Sequence, residues 1–101
     1  MALIRCGASG NGLISTATLL QSYTLAANAT ISSLDIDVAN NKTYAFAVHN
    51  YQSDTHKPIM AIISGGELIM GDPNTFAISD GKLSGGSYSS QVMYVDWFEL
   101  S

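Results

Sequence analysis

The chain has 101 residues, a formal net charge of −4, 12% charged residues and 47% hydrophobic ones, which suits one folded domain with a single core and excludes disorder. Its four cations, Arg5, Lys42, Lys57 and Lys82, are scattered, so no basic stripe can neutralise a run of phosphates or grip an anionic membrane, and nucleic acid is not an expected partner. No apolar run reaches the roughly 20 residues of a spanning helix, so membrane insertion is not expected.

Polarity comes instead from 13 Ser, 7 Thr and 6 Asn. Small neutral groups repel one another weakly, so such a surface tolerates self-association. The chain opens with ALIRC (2–6), a strand-like arm, followed by the glycine-rich joint GASGNG (7–12). The arm either folds back as an edge strand of its own sheet or adds to the sheet of a neighbouring subunit. Leu3 and Ile4 are therefore candidate interface residues. Cys6 is the one cysteine, so no internal disulfide is available, and it reads as a small buried hydrophobe. Gly7, Gly10 and Gly12 with Ser15, Thr16 and Thr18 interrupt the apolar run after Arg5, and no signal peptide is expected. The NAT (28–30) and NKT (41–43) triplets are accordingly not read as glycosylation sites.

LISTATLLQSYTLAANA (13–29) favours strand through Thr16, Thr18 and Thr24. SLDIDV (33–38) alternates Leu34, Ile36 and Val38 against Asp35 and Asp37, predicting a strand with a solvated acidic face. KTYAFAV (42–48) sets Tyr44, Phe46 and Val48 opposite Ala45 and Ala47, and Asn40-Asn41 would join the two runs as a tight hairpin. PIMAIIS (58–64), apolar on both faces, predicts a central strand, turned by Gly65-Gly66 into ELIM (67–70). GDPN (71–74) is a turn in which Asp72 can bond its own backbone. TFAIS and KLS form a hairpin about Asp80-Gly81, and SQVMYVDWFEL (90–100) is the longest strand. The expectation is all-β: a single antiparallel β-sandwich or jelly-roll-like domain of about eight short strands spanning residues 1–101, with 1–12 as arm and joint.

The segment HNYQSDTH (49–56) holds both histidines. Asp54-x-His56 would share a face if extended, but the chain lacks the four-ligand spacing of a structural zinc site, so no metal or other cofactor is expected. Pro58 removes a ladder donor, which predicts an exposed loop. Tyr51, Asp54 and His56 are then its candidate ligand contacts. Cys6, His49 and Asp54 are nucleophile, base and orienter types without a spacing that joins them, and no nucleophile elbow or phosphate loop occurs; no catalytic residue is assigned. In the last strand, Met93, Val95 and Trp97 share a face opposite Tyr94 and Phe98. That face is either core or covered by another subunit, making Met93, Val95 and Trp97 candidate interface residues. The alternative is a stacking surface for a sugar ring, with Trp97 beside Tyr88 or Tyr51.

A short all-β chain with the start MALIRCG, a glycine joint, Ser/Thr/Asn-rich strands and an aromatic last strand resembles small bacteriophage virion proteins, of the tail-fibre or baseplate tip and capsid-decoration types. The resemblance covers most of the chain in style, and no site residue carries over position by position. It implies a non-enzymatic structural or adhesion subunit of a virion, a homo-oligomer with a trimer favoured, contacts with other virion proteins and recognition of a host-surface glycan. The chain departs from full receptor-binding fibres in having no coiled-coil or shoulder segment before the domain. A free-standing carbohydrate-binding module is the alternative.

Overall fold

The computed structural model describes residues 5–6, 17–51 and 58–100. Eight strands occur among them: β1 (Arg5–Cys6), β2 (Thr18–Leu25), β3 (Thr43–His49), β4 (Pro58–Ser64), β5 (Glu67–Met70), β6 (Ala77–Ser79), β7 (Lys82–Ser84) and β8 (Met93–Leu100). The chain is an all-β, sandwich-like domain, with layers of unequal size. One layer is a six-stranded sheet in the order β1-β4-β3-β8-β2, with β5 also on β4. The other is the β6–β7 hairpin and a short 3-10 turn, η1 (Ile31–Leu34). Every strand pair is antiparallel except β1 with β4, where Arg5 lies opposite Pro58 and Cys6 opposite Ile59. At Arg5–Cys6, then, the arm adds to its own sheet; Leu3 and Ile4 lie outside the described residues.

Turn chemistry accounts for the hairpins. Gly65 and Gly66 take φ of 62° and 78° between β4 and β5, and Asp80 and Gly81 take 53° and 72° between β6 and β7. Two consecutive left-handed residues match the twist of the strands they join. Asp72 accepts from the Asn74 amide at 2.9 Å and from Thr75 Oγ1 at 3.0 Å, closing the turn after β5.

The expected strand over 33–38 and its Asn40-Asn41 hairpin are corrected. Residues 31–34 form η1, capped by Thr30, whose side chain accepts from the Ser33 amide, and Asp35 is left-handed at φ 56°. Both edges of β3 are occupied, by β4 and β8, so no edge remains for 33–38. That segment bonds to the β6–β7 hairpin instead, Leu83 N to Ile36 O and Val38 N to Gly81 O, each 2.9 Å. Ile36 and Val38 still reach the core, while Asp35 and Asp37 both meet Lys82 Nζ, at 2.7 and 2.8 Å.

The two sheet faces differ in kind. Tyr44, Phe46 and Val48 of β3 join Val95 and Trp97 of β8, Ile63, and Phe76, Leu83 and Ile31 of the second layer in the main core. Ala45 and Ala47 join Ala17, Ile59 and Phe98 in a cluster on the opposite face. Among the described residues no helix is long and apolar enough to cross a membrane.

Candidate functional site

Where β3 ends and β8 begins, the main-core face opens into a groove. Two adjoining clefts, about 230 and 360 Å³, share Met60, Tyr88 and Met93 as lining. Val48, Asn50 and Pro58 extend the first, and Asp72, Thr75, Phe76 and Ser89 extend the second.

A break in register sets Met60 here. Phe46 lies opposite Ala61 and Ala47 opposite Ile59, so Met60 is the extra residue of a β-bulge. A bulge re-aims the side chain it releases, and Met60 stands 39% exposed on the groove wall. Tyr88 sits on the segment before β8, which is stitched to residues 28–31: Tyr88 N bonds Ala29 O at 3.1 Å, Asn28 N bonds Ser89 O at 2.6 Å and Ile31 N bonds Gly86 O at 3.0 Å. Its ring tilts against Phe46 and Phe76, with centroids 6.4 and 6.2 Å away. Burial raises the Tyr88 pKa, so the hydroxyl stays protonated and can donate at neutral pH. Asp72 gives its carboxylate to its own turn and thereby shapes the rim. The lining is apolar and ringed by neutral donors and acceptors and by one carboxylate, Asp72, already bonded within its own turn, which suits a neutral ligand with one apolar face.

His49 borders the groove but is a buried strand residue, 6% exposed, not part of the exposed loop expected over 49–56. Its Nδ1 lies 2.6 Å from Tyr51 O; a carbonyl only accepts, so Nδ1 carries the proton. Nε2 lies 3.7 Å from Asp96 Oδ2, and Ser22 Oγ donates to Asp96 Oδ1 at 2.7 Å. Ser, His and Asp thus meet in an order unlike a nucleophilic triad. The serine bonds the carboxylate, so the imidazole cannot draw off its proton. Among the described residues no group of three or more His, Cys, Asp and Glu side chains is placed to hold a metal.

The other candidates fall as follows. Tyr88 and Met93 come together in the groove. Tyr51 is 72% exposed just beyond β3; Asp54 and His56 lie outside the described residues. Trp97 is corrected on both counts. It is 3% exposed and stacks on Tyr44 at 4.8 Å and 12°, so it offers no face to a sugar or a neighbour. Val95, at 0% exposure in the same core, is likewise withdrawn as an interface residue. Both are covered because the second layer comes from the same chain. Met60, Asn50, Phe76 and Ser89 escaped the sequence reading. Met60 depends on a bulge that hydropathy does not report, and the others are joined only by the fold. No protein-family model, curated protein or solved structure matches the chain.

Proposed function

We propose that the chain is a non-catalytic recognition subunit, of the structural or adhesion kind that a bacteriophage particle carries at a tail tip or on its capsid, and that it binds a host-surface glycan. The groove carries this proposal: Tyr88, Met60 and Met93 offer apolar surface, and Asn50, Thr75 and Ser89 supply neutral polar groups around it. Sugars present the same pairing of an apolar ring face and hydroxyl edges. The resemblance to small virion proteins supports the particle setting and a homo-oligomer. A free-standing carbohydrate-binding module uses the same groove without a particle.

A glycan array probed with the intact chain, Met60→Glu and Asn50→Ala tests the groove. Met60 is partly exposed and Asn50 exposed, so both variants keep the native melting temperature within a few degrees. Retention of a glycan class by the wild type, lost in both variants, supports recognition. No retained glycan, or retention equal in all three proteins, overturns it. An antibody to the chain that labels phage particles under the electron microscope supports the virion setting, and unlabelled particles reject it.

A further inference from the structure

The two ends of the large sheet are finished differently. At one end the outer side of β4 is filled by β1 at Pro58–Ile59 and by β5 at Ile62–Ser64. β5 is four residues long, carries Glu67, and stops at Gly71 with φ 129°. Short length, a charge and an abrupt end are the devices that keep strand edges from pairing with other chains. Among the described residues the opposite end has no such guard. β2 is eight residues long, TLLQSYTL, without a charge, proline or glycine, and among the described residues it pairs only with β8. Thr18 to Ser22 and Thr24 are exposed, including Leu19 at 46% and Leu20 at 47%. A bulge lies between Leu19 and Gln21, but from Gln21 to Leu25 the strand runs in regular register with Trp97 to Met93. That regular stretch presents a row of backbone donors and acceptors on its outer side.

We infer that β2 is a self-association edge, and that a second copy of this chain pairs with it antiparallel across a two-fold axis near Tyr23. The charge distribution selects the occupant. A strand facing its own copy sets each charge near its twin, and like charges opposed across strands are destabilising. In a chain of net charge −4, the strand itself carries no charge, and the carboxylates that act on Tyr23, Asp35 and Asp37, are held by Lys82 at 2.7 and 2.8 Å, which suits a copy of itself. The axis sets Gln21 opposite Leu25 and Ser22 opposite Thr24, hydroxyl to hydroxyl, with the two Tyr23 rings meeting at the centre. A two-fold contact uses the same patch on both copies and closes at two. It therefore predicts a dimer where the resemblance to virion proteins favours a trimer, and it is independent of the groove.

Light scattering on the size-exclusion peak, over a range of protein concentration, reads the mass. The wild type is expected at twice the chain mass, and Gln21→Lys/Thr24→Lys at the chain mass with an unchanged far-ultraviolet spectrum. Ile69→Lys, on the guarded β5 edge at 62% exposure, keeps the dimer. Amide exchange over Gln21–Leu25 slows as wild-type concentration rises, while exchange over Glu67–Met70 does not. A monomer at every concentration, a trimer, or a dimer indifferent to the two lysines overturns the inference. If the double variant loses its spectrum, the concentration dependence of amide exchange in the wild type decides.

Discussion

Strand β3 separates two kinds of interior within a few ångströms. On one side Tyr44, Phe46 and Val48 are large and pack with Trp97, Phe76 and Val95. Phe46 meets Trp97 edge-on at 6.3 Å and Phe76 at 5.2 Å. On the other side Ala45, Ala47 and His49 lie opposite Phe98, Asp96 and Tyr94 of β8. There the bulk comes from β8 and β3 supplies the space. One face is stabilised by aromatic area; the other tolerates a histidine and an aspartate in its interior because a serine and a backbone carbonyl answer them. The difference shows that alternation along a strand distributes volume as well as polarity.

Substitutions in β3 break that contrast by different amounts. Phe46→Ala opens a cavity beneath both Phe76 and Trp97 and is expected to cost about 3–5 kcal/mol, read as a shifted denaturation midpoint; a loss below 1 kcal/mol would place the main core elsewhere. Ala47→Leu forces volume into the small-residue side and costs about 1–3 kcal/mol. If Ala47→Leu is neutral, the second face has room to spare. His49→Ala removes the bond to Tyr51 O, a loss on the order of 1 kcal/mol. Nitrogen chemical shifts of the wild-type imidazole should report the proton on Nδ1 at neutral pH, and the opposite tautomer would contradict the bond.

The smallest effect lies outside both faces, where Lys82 clips Asp35 and Asp37 to β7. Hydrogen bonds first to Asp35 and then to Asp37 raise the Lys82 pKa above its ordinary 10.5. A pKa raised on folding stabilises the native state fully below the unfolded value, and the contribution is lost as pH climbs through the native one. Lys82→Met should therefore melt slightly below the wild type at neutral pH. Added salt narrows the gap, because the clip is exposed, and strong alkali closes it. A gap that persists in strong alkali would assign the effect to packing of the lysine stem.

The sequence by itself determined the strand content and most turns. Strands β2, β3, β4 and β8 coincide with runs of β-branched and aromatic residues. Gly65-Gly66 and Asp80-Gly81 bend where only left-handed backbone closes a two-residue hairpin. Of the groove, Tyr88 and Met93 were legible as surface-capable groups, but their meeting with Met60 was not. Tertiary structure alone decided the rest. The alternation Leu34-Asp35-Ile36-Asp37-Val38 is equally satisfied by an irregular segment that sends Ile36 and Val38 inward. Only the occupied edges of β3 showed that it does not pair there; a single antiparallel bridge, Asp37 with Lys82, joins it to β7 instead. Trp97 reads the same on a surface or in a core until the second layer covers it. Side-chain period is a local property of the chain, whereas pairing, register and cover depend on residues far apart in sequence, and competition among those contacts is settled only when the whole sheet is assembled.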